Sequence, residues 1–153
     1  MTPAPVRKIE NCNCFAVRQA ARHITQFYDQ YLADAGLRTT QYAILASLDH
    51  LGPMPISALA DAMVMDRTTL GRNIKPLERE GLVAIGEEQS DRRRKVLHVT
   101  TDGGKRLRAA DKAWGEAQEK FERAFGKTKA NTLREMLRAV TDCDLRRPEQ
   151  SVR

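Results

Sequence analysis

Aromatic residues are scarce: four Phe, three Tyr and one Trp in 153 residues, too few for the stacking platforms used by binders of single strands and RNA loops. Any nucleic-acid partner is therefore expected to be a duplex, read through groove and phosphate. Cysteine is equally sparse, at three. An odd count suits reduced thiols better than a disulfide framework, and Cys12 and Cys14 alone do not make a structural zinc site. His23 and His98 stand at no metal-ligand spacing from a cysteine, so neither metal nor cofactor is expected. No apolar run approaches the roughly 20 residues of a spanning helix, and Met1 to Lys8 has no apolar signal core; the expectation is a cytoplasmic protein away from membranes. Repeats and low-complexity tracts are missing too. One domain's length excludes an enzyme with separate cofactor and substrate lobes.

What is present is helical period. Pro3 and Pro5 mark a lead-in, after which Val17, Ala21, Ile24, Tyr28 and Tyr31/Leu32 recur at three- and four-residue steps, predicting a helix to about Ala35 closed by Gly36. A second helix is predicted from Thr39, with Tyr42, Leu45, Ala46 and Leu48 on one face, stopped at Gly52-Pro53. Ser57 is placed to cap a short helix carrying Leu59, Ala60 and Met63, and Asp66 another running to Glu80 and ended by Gly81. Leu82 to Ile85 and Val96 to Val99 are β-prone runs around a charged segment, hence a hairpin. From Thr101 the helical period returns through Leu107, Ala110, Trp114, Ala117, Phe121 and Phe125, and after Gly126 through Leu133, Met136, Leu137 and Val140. A polar, frayed tail is expected from Arg146.

The expected fold is mainly α with a small β-hairpin wing (α+β): a winged helix-turn-helix over residues 37–102, flanked by a dimerisation helix in 1–36 and further dimerisation helices in 103–153, one structural domain per protomer. The terminal helices carry long apolar stripes with little of their own chain left to cover them, which predicts intertwining with a second copy, a homodimer.

On the Asp66 to Glu80 helix, Leu70, Ile74 and Leu77 share a core stripe. Thr68, Arg72, Lys75 and Arg79 fall on the opposite side, a cationic ridge suited to a major groove. There Arg72 is fitted to guanine, Thr68 to a base edge or methyl, and Lys75 and Arg79 to phosphates. The hairpin tip holds Asp91-Arg92-Arg93-Arg94-Lys95, cations that a wing can carry into a minor groove. Net charge is +6 overall. Between Pro55 and Thr100, however, eight cations face seven acids, so placement and not bulk charge carries the DNA case.

The stretches Ile56-Ser57-Ala58-Leu59-Ala60-Asp61-Ala62-Met63, Asp66-Arg67-Thr68-Thr69-Leu70, Leu77-Glu78-Arg79-Glu80-Gly81-Leu82-Val83, and Asp91-Arg92-Arg93-Arg94-Lys95 running on to Gly103 resemble the MarR family of bacterial transcriptional regulators. The resemblance implies a homodimeric repressor on a pseudo-palindromic operator, released by a small molecule or by thiol oxidation. It also implies that Arg93 enters the minor groove with Asp91 orienting the tip; together with the ridge and the wing cations, the expected DNA contacts are Ser57, Thr68, Thr69, Arg72, Lys75, Arg79, Arg92, Arg93 and Arg94. Two positions depart from the pattern. Gly71 replaces a small hydroxyl residue, and Pro76 lies inside the recognition helix, where it removes a hydrogen bond and predicts a bend.

Cys14-Phe15-Ala16 is similar to the sensing segment of the family's organic-hydroperoxide branch, whose cysteine is the peroxidatic thiol; Arg18, one turn on, is placed to favour a thiolate. That branch has tyrosines where Arg18 and Thr39 stand, and of the set only Tyr42 is kept. Free cysteine is also among the most buried residue types, so Cys14 has a second reading as a core residue. An aromatic or carboxylate ligand is the other effector class, held in a cleft between the first, second and fifth helices by Arg18, Arg22 or His23 and stacked on Tyr42 or Trp114, residues that equally fit a core. A small thiol-dependent redox enzyme is disfavoured, because no nucleophile, base and orienting residue assemble. A winged-helix protein-interaction module is the remaining alternative.

Overall fold

Glycines and caps divide the chain into its elements. The computed structural model describes residues 8–146; the lead-in prolines Pro3 and Pro5 and the tail beyond Arg146 lie outside them. Helix α1, Asn13–Leu32, starts at Cys12, whose Sγ accepts the Phe15 N–H at 3.4 Å. A 3-10 turn, Ala33–Ala35, prolongs it to Gly36 at φ 70°. Only its C-terminal end is buried in the chain, through Tyr28 and Leu32; Phe15 and Val17 are exposed.

Helix α2, Thr39–Leu51, buries Ile44, Leu45 and Leu48. The single-face pattern missed Ile44, which is fully buried because α2 is contacted by α1, α4 and β2 together. Its start is tied to α1: the Thr39 N–H and hydroxyl both donate to Asp29 Oδ1 at 2.7 Å. Helix α3, Ile56–Met63, begins two residues earlier than expected. Pro55 occupies the N-cap and Ser57 falls inside the first turn, which corrects the capping role expected of Ser57. A proline suits this entry because its fixed φ is already compatible and it has no N–H to satisfy. Val64, in the left-handed region at φ 53°, ends α3.

Helix α4, Arg67–Arg79, is capped by Asp66, which accepts the Thr69 N–H at 2.8 Å, and it buries Leu70, Ile74 and Leu77 as the wheel predicts. The helix runs unbroken through Pro76. Gly81 at φ 71° turns the chain into β1, Val83–Glu87, which pairs antiparallel with β2, Lys95–Val99, in the register Val83↔Val99 to Glu87↔Lys95. Met54 adds a one-residue bridge to Leu97, so the hairpin is anchored to the α2–α3 connection. The core gathers Leu32, Leu37, Ile44, Leu45, Leu59 and Leu70 with the inward residues of α4, the hairpin and α5.

Helix α5, Thr101–Phe125, grows from a close junction. The Thr100 hydroxyl donates to the Gly81 carbonyl at 2.6 Å and accepts the Gly103 N–H at 3.0 Å. The chain forms two compact units, the first ending at Ala117 and the second starting at Gln118. Within the second, Gly126 at φ 104° separates α5 from α6, Lys127–Asp142. Phe121 and Phe125 stack at 5.4 Å, Arg134 pairs with Glu122 at 3.3 Å, and Met136, Leu137 and Val140 are exposed.

Candidate nucleic-acid interface

Because α4 spends its apolar stripe on the core, its polar side is delivered to solvent. Thr68, Arg72, Lys75 and Arg79 are all exposed, a ridge spanning about 16 Å along the helix, or about five base-pair steps. None of its three cations, nor the adjacent exposed Arg67, takes part in an ion pair among the described residues. Arg67 was missed in the sequence reading, although its place beside the Asp66 cap could have marked it. Thr69 is engaged differently, its hydroxyl donating to Asp66 Oδ2 at 2.6 Å. That bond and the Thr69 N–H hold the Asp66 carboxyl below the usual carboxylate range. Thr69 thus stiffens the start of α4, and its hydroxyl keeps only acceptor capacity outward. Ser57 is half-buried in the first turn of α3.

Gly71 leaves open space where a side chain would stand. It contributes to a groove of about 260 Å³ between α4 and the hairpin, lined also by Ile74, Lys75, Glu78, Ile85 and Lys95.

At the wing tip Asp91 Oδ1 accepts the Arg93 N–H at 3.0 Å, and the Asp91 carbonyl accepts the Arg94 N–H at 3.0 Å. This is the local turn an aspartate makes with the backbone two residues on. Arg92 and Arg93 are exposed and carry no ion pair among the described residues. Arg94 is 3.4 Å from Glu88 and Lys95 is 3.9 Å from Glu87.

Tyr42 and Trp114 stack at 6.2 Å with planes 17° apart, and the Tyr42 hydroxyl donates to Asp111 at 2.8 Å. Burial first, then the Asp111 bond and charge, raise the Tyr42 phenol above its ordinary value. Arg18 and Arg22 line a concavity with Ala21, Thr25 and Gln26, all on α1, and His23 is exposed. Cys14 is exposed, so the core reading does not describe it within this chain. Cys143 is also exposed. Among the described residues no three His, Cys, Asp or Glu could hold a metal, and no helix is long and apolar enough to cross a membrane.

A helix-turn-helix beside a cation-tipped hairpin defines a winged-helix protein. The MarR family model matches residues 37–95. The organic hydroperoxide resistance transcriptional regulator of Bacillus subtilis is 26% identical over 96 residues, 63% of this chain and 65% of that protein, just under two thirds of its length. A putative transcriptional regulatory protein for the hcr operon of Thauera aromatica is 29% identical, covering 87% of this chain and 76% of that one. The structure of the M. tuberculosis transcriptional regulator MosR in complex with DNA superposes with a TM-score of 0.73 at 31% identity, over 88% of this chain and 100% of that chain. The chain belongs to the MarR family of transcriptional regulators.

Proposed function

We propose that the chain is a sequence-specific regulator of double-stranded DNA, not an enzyme, acting in the cytoplasm as a homodimeric repressor on a pseudo-palindromic operator. The observation that carries this is the unpaired cationic ridge of α4 beside a wing tip whose turn is set by Asp91. Thr68 and Arg72 read base edges, Lys75, Arg79 and Arg92 meet phosphates, Arg93 enters the minor groove, and Ser57 and Thr69 add contacts from the first turns of α3 and α4. The exposed apolar residues of α1 and of α6 supply the surface a second copy would cover. MosR was solved with DNA, which supports the same partner here. The test is duplex from the gene's own upstream region, titrated across ionic strength: affinity falls steeply with salt, and Arg93→Ala flattens the dependence by about one phosphate's worth. Salt-insensitive or absent binding would sink this reading.

For release, exposed Cys14 and the Bacillus relative's name favour an organic hydroperoxide. The thiolate attacks the peroxide oxygen, leaving a sulfenic acid and the corresponding alcohol. Loss of DNA binding on oxidation should disappear in Cys14→Ser and persist in Cys12→Ser. The stacked Tyr42–Trp114 pair favours an aromatic acid as a second effector class, which the same assay tests with a panel of such acids.

A further inference from the structure

The three wing arginines are not equivalent. Arg92 and Arg93 carry no ion pair among the described residues, whereas Arg94 Nη1 lies 3.4 Å from Glu88 Oε2. The same two residues also meet through the backbone, the Glu88 N–H donating to the Arg94 carbonyl at 3.0 Å, while the Arg94 N–H reaches the Asp91 carbonyl. The mouth of the wing loop is therefore shut twice, once by backbone and once by charge. One step down the hairpin, Lys95 and Glu87 pair at 3.9 Å with both side chains more than half exposed, a looser and more hydrated contact.

Glu88 Oε2 is closed off from solvent and accepts no hydrogen bond within the described residues. The Arg94 guanidinium is its one ionic partner there. With the Arg94 side chain 60% exposed and that of Glu88 34% exposed, the pair is a partly screened one, and releasing Arg94 to a phosphate would give up this contact across the mouth of the loop. Arg92 and Arg93 face no such cost, and the Asp91 turn already points the backbone of Arg93 at the tip.

We propose that Arg94 is a positioning residue of the wing and not a phosphate contact: paired with Glu88, it shuts the loop and holds Arg92 and Arg93 at the tip. This rests on the duplex-reading function proposed above, and it reassigns Arg94 from the set of DNA contacts expected from the sequence.

The experiment compares Arg93→Gln, Arg94→Gln, Arg94→Glu and the charge swap Glu88→Arg with Arg94→Glu. Each lost phosphate contact lowers the slope of log affinity against log salt by about 0.9. Arg93→Gln should show that drop. Arg94→Gln should keep the wild-type slope while binding about two- to five-fold more weakly, and the swap should recover the affinity that Arg94→Glu loses. A slope reduced by about one in Arg94→Gln, or a swap that binds no better than Arg94→Glu, overturns the assignment. A second readout needs no DNA: the Glu88 amide should exchange about two- to five-fold faster in Arg94→Gln and return in the swap, and an unchanged rate overturns the assignment as well. If the unsubstituted protein bound duplex without salt dependence, the proposed function would fail while amide exchange still decided the role of Arg94.

Discussion

The hydroxyl of Tyr42 on α2 donates a 2.8 Å hydrogen bond to Asp111 Oδ1 on α5, joining residues 69 positions apart. Burial and the neighbouring carboxylate both favour the neutral phenol, so its pKa in the folded chain is raised above the ordinary 10.0. A raised pKa contributes stability that is fully present below the unfolded value and is lost as pH rises through the folded one. Unfolding titrations should therefore show a decline beginning near pH 10 that Tyr42→Phe removes. At neutral pH the same substitution should cost about 0.5–1.5 kcal/mol for the lost bond. An alkaline limb unchanged in Tyr42→Phe would show that this pair does not set it.

Val64 ends α3 in the left-handed region at φ 53°, where a β-branched residue is strained. Its side chain is 73% exposed and so has little packing to offset that strain. Val64→Gly should stabilise the fold by about 1 kcal/mol, seen as a higher urea midpoint at unchanged slope. A lower midpoint would mean that chain entropy outweighs the relieved strain.

Gly103 has no room for a side chain. A Cβ there would stand 2.0 Å from the Leu82 carbonyl oxygen and 2.9 Å from Val99 Cγ1. Since the first obstacle is backbone, Gly103→Ala must push α5 off the base of the hairpin, at about 3 kcal/mol or more. The neighbouring Gly104→Ala meets only the end of Arg108 at 3.3 Å and gains helix propensity of up to about 1 kcal/mol. Thermal melts of the two variants should move in opposite directions, and a shared direction would contradict the packing argument.

Pro76 sits inside α4 with its neighbours in helical hydrogen-bonding register, yet it cannot donate to the Arg72 carbonyl. Pro76→Ala should restore that bond and stabilise by about 1–3 kcal/mol. It should also shift operator affinity, since Lys75 and Arg79 flank the point where the helix is free to bend. Denaturation and duplex titration of the variant check both, and an unaltered melting temperature would show that the surroundings are fitted to the proline.

The element order, the Asp66 cap, the stops at Gly36, Gly52 and Gly81, the inward stripe of α4 with its outward ridge, and the Asp91 turn were all determined by the sequence alone. Each depends on residues within a turn or two of one another, where helical period, capping and backbone freedom act. Pairings between distant segments were decided only by the tertiary structure. It buried Ile44 on a second face of α2, moved the N-cap of α3 from Ser57 to Pro55, stacked Tyr42 against Trp114, and left Cys14 in the open. It also drew one wing arginine back to Glu88 while leaving the two before it unpaired. Local pattern states what a side chain is able to do, but which partner it meets, and how far from water, depends on how segments tens of residues apart pack together.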